Sequence, residues 1–188
     1  SYIVYGPLLS GATTVMFEGI PTYPHPGRFW EVVDKHQVNQ FYTAPTAIRA
    51  LQAFGNEPIE PFSLDSLRVL GSVGEPINEE AWHWYHTNIG KGKCPIVDTW
   101  WQTETGAILI ANYPSEEIRL GSMGKPIPGI NASILGENGN PVDANVEGDL
   151  AIKTTWPSMF RSYWQNEKMY NSKFKNGWYI NGDRAKVD

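Results

Sequence analysis

A group of aromatic, hydroxyl, amide and carboxylate side chains follows an apolar run near the middle of the chain. The run Pro95-Ile96-Val97 is typical of a buried strand, and Asp98–Gly106 (DTWWQTETG) comes directly after it. Ligands of open α/β sheets bind at the carboxyl ends of the strands. An indole offers a flat face for a ring, a hydroxyl can bond phosphate or carboxylate oxygens, and a carboxylate can hold a divalent cation. The alternative is an ordinary Thr-rich loop, but two adjacent indoles need a surface to cover and favour a ligand site.

Two shorter stretches also follow predicted strands and carry groups suited to a ligand. Gly71–Pro76 is rich in small residues, which let the backbone approach a flat ligand closely. It is not a nucleophile elbow, because Leu70 stands two positions before Ser72, where that motif needs Gly, and it lacks the glycine spacing of a dinucleotide-binding loop. Asp183 could accept two hydrogen bonds from the vicinal hydroxyls of a ribose. For both stretches, a simple turn is the alternative.

Strand and helix patterns alternate through the first part of the chain. Runs of β-branched and aromatic residues predict strands, and apolar residues at helical spacing predict helices. This order predicts an α/β fold, a parallel sheet with helices on both faces. The expected elements are strands at Thr13–Phe17, Val38–Thr43, Leu67–Val73 and Ile96–Trp100, and helices at Gly27–Lys35, after Pro45 and after Asn78.

Beyond Tyr113 the glycines and prolines cluster and the predicted strands become short. The pair Asn138-Gly139 is a strong hairpin signal. This texture predicts part of an antiparallel β-barrel, so we expect an α/β subdomain at 1–113 and a β-rich subdomain at 114–188. The short strands that we expect are Ala132–Leu135, Asp149–Ile152 and Trp178–Asn181.

The composition argues against several classes of partner. The 188 residues carry a formal net charge of −5 with scattered basic residues, which disfavours nucleic acid. The single cysteine, Cys94, allows no disulfide framework or CxxC metal site and fits a reducing, cytoplasmic compartment. No stretch approaches the ~20 apolar residues of a membrane-spanning helix, and the four histidines show no ligand spacing. The chain begins without Met inside an apolar run, and we expect it to be a piece of a longer protein.

Four stretches together resemble the acyl-adenylate-forming family: Tyr42–Thr46, Gly71–Pro76, Asp98–Gly106 and Gly182-Asp183. Two Trp before Gln-Thr-Glu-Thr-Gly make the central motif similar to that of the AMP-forming acetyl-CoA synthetases within this family. The resemblance implies an acetate–CoA ligase that joins acetate to ATP, releases pyrophosphate, and passes the acetyl group to coenzyme A, with Mg²⁺ as cofactor. A propionate-preferring relative and a non-catalytic nucleotide-binding fragment are alternatives. A serine hydrolase using Ser72 is disfavoured by the missing elbow.

The resemblance also implies roles for individual residues. Thr103 and Glu104 would be catalytic, with Glu104 holding Mg²⁺. Val73 and Trp101 would wall the acyl pocket, and Thr22 would contact coenzyme A. The implied ATP/AMP-binding set is Gly74, Glu75, Pro76, Asp98, Thr99, Trp100, Trp101, Gln102, Thr103 and Asp183.

Within that set the resemblance divides the nucleotide among different side chains. Trp100 would stack on one face of the adenine, and Gly74, Glu75 and Pro76 would line the other. Asp98 would lie near the adenine amino group, Thr103 would bond the α-phosphate, and Asp183 would take the ribose hydroxyls.

Two parts of the family pattern have no counterpart in these 188 residues. One is the Gly-rich phosphate loop with its Lys, and the other is the small C-terminal domain with its catalytic Lys. We therefore expect a fragment of the large N-terminal domain that is inactive by itself, because the charge on the departing pyrophosphate would not be neutralised.

Overall fold

The computed structural model describes residues 2–188, and the chain divides into two units that interleave along the sequence. The first unit runs to Trp101 and takes up the chain again over Ile110–Lys125; the second comprises Gln102–Leu109 and Pro126–Asp188. These units differ from the contiguous ranges 1–113 and 114–188. The difference arises because the chain leaves the first unit after Trp101 and returns at Ile110 to pair again with the strand that it had left.

Three parallel strands form the centre of the first unit: β1 (Gln40–Thr43), β2 (Val69–Val73) and β3 (Ile96–Trp100). Two short strands, β4 (Ile110–Ala111) and β5 (Lys125–Pro126), complete the five-stranded sheet in the order β1-β2-β3-β4-β5. Since β4 runs antiparallel to β3, the sheet is mixed. The predicted α/β class is confirmed, and the carboxyl ends of the three parallel strands lie side by side.

All the described helices of the first unit except the first bury apolar faces against these strands; the first helix has no buried residue. The helices are α1 (Tyr2–Leu9), α2 (Arg28–His36), α3 (Pro45–Gln52) and α4 (Glu79–Trp84), and a π-helical turn continues α4. Apolar side chains at helical spacing explain the choice of face. The core that they share with the sheet contains Trp30, Val33, Ile48, Leu51, Leu70, Ala81, Tyr85, Ile89 and Ile96.

One strand expectation needs correction, and one helix begins without the expected kind of cap. Thr13–Phe17 is not a strand, and Met16 is 82% exposed there. β-branched and aromatic residues favour strands because they pack on a half-buried pleated surface, and these side chains have no such surface. Asn78 does occupy the N-cap of α4, but its side chain makes no capping bond; Glu79 and Glu80 supply the favourable charge in the first turn instead.

The second unit is built on an antiparallel sheet, as predicted. Its strands are β6 (Ala132–Leu135), β7 (Gly148–Lys153), β8 (Phe174–Lys175) and β9 (Trp178–Ala185), in the order β6-β7-β9-β8. An irregularity between Asp149 and Ala151 shifts the register of β7 against β9. The short helix α5 (Glu167–Ser172) precedes β8. The core of this unit contains Ile134, Leu135, Leu150, Ile152, Trp156 and Tyr179.

The core of the first unit yields a stability prediction. Leu70 is completely buried in β2, so Leu70→Ala should lower the free energy of unfolding by roughly 2–5 kcal/mol through lost burial and a residual cavity. Urea denaturation of this chain measures the change. Leu9→Ala is the matched control, because Leu9 is 90% exposed and should change stability by no more than about 0.5 kcal/mol. Equal losses for the two variants would contradict this assignment of the core.

Candidate functional site

The motif Asp98–Gly106 is shared by the two units. Asp98–Trp100 completes β3, and Trp101 directly follows it in the first unit, whereas Gln102–Gly106 belongs to the second. The two halves of the motif are therefore held by different sets of neighbours.

In the first unit the carboxyl group of Asp98 is buried in the middle of β3. The side chain is 7% exposed, and its Oδ1 accepts a hydrogen bond of 3.1 Å from the backbone N–H of Thr99. Burial raises the pKa of Asp98 to about 6, against the opposing effects of that N–H and of the neighbouring Ser72 side chain. Asp98 thus changes its protonation state close to neutral pH.

A directed chain of hydrogen bonds crosses the three parallel strands near their carboxyl ends. Trp101 Nε1 donates to the hydroxyl of Tyr42 at 2.8 Å, and that hydroxyl lies 2.6 Å from Thr99 Oγ1. Thr99 Oγ1 in turn donates to the backbone carbonyl of Ser72 at 2.9 Å. Because the Thr99 proton is committed to Ser72, Tyr42 must be the donor to Thr99. Burial raises the pKa of Tyr42, which keeps this donor protonated.

The glycines of Gly71–Pro76 serve different purposes. A Cβ on Gly71 would overlap the ring of Tyr42, so the space above this glycine is filled by protein and not left for a ligand. Gly74 has φ +95°, a conformation that glycine adopts readily, and a Cβ there would meet nothing within 4 Å. Only Gly74 therefore keeps the open face that the sequence analysis expected of the small residues.

Glu75 is tied to helix α3. Its carboxylate accepts hydrogen bonds from the hydroxyl of Thr46 and from Arg49 Nη2, the latter at 2.9 and 3.0 Å. These contacts, with the Thr46 bond foremost, lower the pKa of Glu75. The carboxylate thus anchors the turn that contains Gly74.

In the second unit Gln102 connects two predicted stretches that lie 81 residues apart. Its Nε2 donates to Asp183 Oδ2 at 3.2 Å, and its Oε1 accepts from the hydroxyl of Tyr179 at 2.8 Å. The backbone N–H of Asp183 donates to Asn181 Oδ1 at 2.7 Å. Asp183 is itself exposed, so its carboxylate is oriented by neighbours and accessible to a ligand.

Glu104 is held by a tyrosine from outside the motif. The hydroxyl of Tyr163 donates to Glu104 Oε1 at 2.6 Å, and burial together with this carboxylate raises the pKa of Tyr163 to about 12. The carbonyl of Thr105 accepts from Trp156 Nε1 at 3.0 Å and from Ser158 Oγ at 2.6 Å. These bonds fix the 3₁₀ turn that presents Glu104.

The donor set around Glu104 fits Mg²⁺ held jointly with a phosphate group. Mg²⁺ prefers oxygen ligands and commonly uses one or two carboxylates together with substrate phosphates. In the part of the chain that the structure describes, no group of three or more His, Cys, Asp or Glu side chains could hold a metal ion by itself. Glu104 is a single half-buried carboxylate next in sequence to Thr103. It offers the one carboxylate that a joint site with a phosphate group needs, without forming an all-protein cage.

Comparison with known proteins places the chain in a family. The model of the family described as AMP-binding enzyme matches residues 1–164. The chain belongs to the AMP-binding enzyme family.

Individual members of the AMP-binding family match over almost all of the chain. It is 55% identical over 192 aligned residues to acetyl-coenzyme A synthetase 2 of Pseudomonas aeruginosa and 52% identical over the same length to acetyl-coenzyme A synthetase of Alcanivorax borkumensis. Each alignment covers 100% of this chain and 30% of the relative, so the chain spans less than a third of these relatives' length. The solved anthranilate CoA ligase AuaEII in complex with anthranoyl-AMP has a TM-score of 0.82 and 28% identity, covering 95% of this chain and 33% of that one.

The remaining predicted residues lie at strand ends and in turns of this AMP-binding fold. Val73 ends β2 in register with Thr99 and is half-buried, as are Trp100 and Trp101. Thr103 is exposed at the start of the 3₁₀ turn. Thr22 lies half-buried in a turn that precedes α2. Their roles toward ligands stay predictions.

Sequence reasoning missed the tyrosines that support the motif. Tyr163 and Tyr179 lie outside every stretch that resembled the family, and Tyr42 was quoted only as part of such a stretch. The available signal was weak: each is an aromatic residue in a strand or loop, and the partner of its hydroxyl depends on tertiary packing. No helix among the described residues is long and apolar enough to cross a membrane.

The buried Asp98 predicts an unusual dependence of stability on pH. Its pKa is raised from 3.8 to about 6 in the fold, so between these values the folded state keeps a proton that the unfolded chain has lost, and stability falls as pH rises. The fall amounts to at most roughly 3 kcal/mol. The Asp98→Asn side chain cannot ionise, so its free energy of unfolding should not show this decrease with rising pH. Urea denaturation of both proteins at a series of pH values from about 4 to about 7 measures the difference. Parallel stability curves for wild type and variant would refute the raised pKa.

Proposed function

We propose that this chain is the acetate- and nucleotide-binding part of an AMP-forming acetate–CoA ligase. The reaction joins acetate to ATP, giving acetyl-adenylate and pyrophosphate, and then transfers the acetyl group to coenzyme A. The observation that carries the proposal is the match along the whole chain to acetyl-coenzyme A synthetases at 52–55% identity. The bond between Gln102 and Asp183 supports it, because it ties the central motif to the residue proposed for the ribose.

Asp183 would bind the ribose of the nucleotide. Its exposed carboxylate can accept hydrogen bonds from both vicinal hydroxyls, and charge-assisted bonds of this kind are stronger than neutral ones. Gln102 holds the carboxylate and Asn181 holds the backbone N–H of the same residue before a ligand arrives. This preorganisation reduces the entropic cost of binding.

Residues of the first unit would bind the adenine. The open face at Gly74 can receive one face of the adenine ring. The indole of Trp100 can stack on the other face of that ring. Glu75 would act indirectly, because its carboxylate is occupied by Thr46 and Arg49 and fixes the turn. Asp98, which titrates near neutral pH, can accept from the adenine amino group in its ionised form.

Glu104 and Thr103 would act on the phosphates. Mg²⁺, when bound, neutralises charge on the phosphate oxygens and on the departing pyrophosphate. Glu104 would hold the ion through its carboxylate, oriented by Tyr163. The exposed hydroxyl of Thr103 would donate to the α-phosphate, where negative charge is spread in the transition state.

The acyl pocket and coenzyme A complete the proposal. Val73 and Trp101 would wall a pocket for the methyl group of acetate, and Thr22 would contact coenzyme A. We place the enzyme in the cytoplasm with small-molecule substrates as its partners.

Release of pyrophosphate by the full-length protein that carries this sequence, with ATP plus acetate or propionate, tests the reaction. Higher catalytic efficiency with propionate would favour the propionate-preferring alternative, and no release with either acid would favour the non-catalytic one.

Asp183→Ala in the full-length protein should raise the Michaelis constant for ATP. The variant loses charge-assisted hydrogen bonds, each worth roughly 1.5–3 kcal/mol, and so roughly tenfold or more in affinity. The ratio of catalytic efficiencies for acetate and propionate should not change, because the acyl pocket is untouched. Asp143→Ala provides the control, since Asp143 is also an exposed Asp of the second unit. An unchanged Michaelis constant for Asp183→Ala would leave this residue as a turn Asp only.

The two adjacent indoles should respond differently to removal. Trp101→Gly opens the acyl pocket, so acids longer than acetate should gain about 0.8 kcal/mol for each methylene that becomes buried. Acetate should lose efficiency, because its methyl group would face an oversized cavity. Trp100→Gly should instead weaken ATP binding without lengthening the accepted acid.

Steady-state kinetics with a series of acids from acetate to octanoate measure both responses. A change in the acid preference of Trp100→Gly but not of Trp101→Gly would reverse the two assignments. No change in either variant would place the acyl pocket elsewhere.

A further inference from the structure

We propose that Tyr42 is a positioning residue for substrate selection: its hydroxyl holds the indole of Trp101 in one orientation and thereby sets the length of the acid that is accepted. The inference rests on the proposed function, in which Trp101 walls the acyl pocket. It assigns to Tyr42, which contacts no substrate in that proposal, the control of a residue that does.

The hydrogen-bond chain allows only one direction of donation. Thr99 Oγ1 gives its proton to the carbonyl of Ser72, so Tyr42 donates to Thr99 and keeps a lone pair for the indole N–H of Trp101. An indole N–H can only donate. Each acceptor in the chain therefore fixes the orientation of the donor before it, and the last acceptor is a backbone carbonyl in a paired strand.

The ring of Tyr42 is held in place independently of its hydroxyl. It lies across Gly71 of the adjacent strand, where any Cβ would overlap it. Gly71 does not have a positive φ, so its backbone conformation does not require glycine, and the space that it leaves is used by the ring. The edge of the Tyr2 ring also approaches Tyr42, with the ring centres 6.2 Å apart.

The indole of Trp101 packs against the ring of Tyr2, with the ring centres 5.9 Å apart, and depends on Tyr42 for the direction of its N–H. Trp101 is half-buried, and its N–H points to the hydroxyl of Tyr42 at 2.8 Å. Removing that hydroxyl leaves a half-buried donor without its acceptor, which costs free energy that the indole can recover by turning toward water. A turned indole changes the floor of the pocket while the residue itself remains present.

The experiment compares tyrosine variants in the full-length protein that carries this sequence. Tyr42→Phe removes only the hydroxyl that accepts from Trp101. Tyr85→Phe is the matched control: Tyr85 is buried in the same unit and donates to the carbonyls of Phe41 and Gly71 at 3.1 and 3.3 Å, with no bond to Trp101. Gly71→Ala displaces the Tyr42 ring and serves as a second variant. Trp101→Gly is the reference for a lost pocket wall.

Two readouts separate positioning from folding. Catalytic efficiencies for acetate, propionate and butyrate report the length of acid that the pocket accepts. Fluorine NMR of fluorotryptophan-labelled protein reports the environment of Trp101. The Trp101 signal is the one that disappears in Trp101→Phe. Tyr42→Phe should shift the acetate-to-butyrate ratio toward butyrate by roughly threefold to tenfold, the equivalent of one hydrogen bond. It should also move the Trp101 signal. Tyr85→Phe should do neither, although it loses stability.

The possible failures are distinguishable. If Trp101→Gly shifts the ratio but Tyr42→Phe behaves like Tyr85→Phe, the proposed pocket stands and the role of Tyr42 is refuted. If Tyr42→Phe moves the Trp101 signal but not the ratio, Tyr42 orients the indole without selecting substrate, which also overturns the inference. If even Trp101→Gly leaves the ratio unchanged, the proposed acyl pocket fails and the inference fails with it. A shift by Gly71→Ala in the same direction as Tyr42→Phe supports the positioning role.

Discussion

The parallel register of three strands is the constraint on which the first unit depends. Thr43 pairs with Ser72, and Ser72 pairs with Asp98, so the chain leaves three neighbouring strands at one edge of the sheet. A backbone arrangement thereby collects side chains from positions far apart in sequence. The hydrogen-bond chain from Trp101 to Ser72 is possible only in this register. A one-residue slip would turn the side chains of a strand to the opposite face.

Much of the fold could be predicted because local patterns and tertiary structure agree. Ile96–Trp100 and Ala132–Leu135 were predicted at their observed bounds, since a short apolar run between turn residues has few alternatives. The prediction failed at Thr13–Phe17, where strand-forming residues pair with no other strand among the described residues, although the ring of Phe17 packs against Phe29. Propensity describes the side chain, whereas a strand also requires a neighbour.

The site was predictable in its ligand-facing groups and not in its supports. Residues that contact a ligand share a chemistry that is visible in the sequence, such as a carboxylate or an indole after a strand. The supporting tyrosines are selected by strand register and tertiary packing, which no local sequence pattern shows. Tyr42 bonds Trp101 and Thr99 of the central motif, Tyr163 bonds Glu104, and Tyr179 bonds Gln102. A tyrosine suits this role because its ring packs among apolar neighbours while its hydroxyl reaches a polar group.

The interleaving of the two units has a consequence for synthesis. All residues of the first unit have been added once Lys125 joins the chain, so its sheet can close while the second unit is still being made. Gln102–Leu109 belongs to the second unit but is made before the rest of that unit. The hydrogen-bond partners of this segment, Trp156 and Tyr179, come 51 and 77 residues after the residues that they bond. The contacts of this segment with Trp156 and Tyr179 can form only after those two residues have been synthesised. For the same reason, no single cut in the backbone can separate the two units without leaving part of one attached to the other.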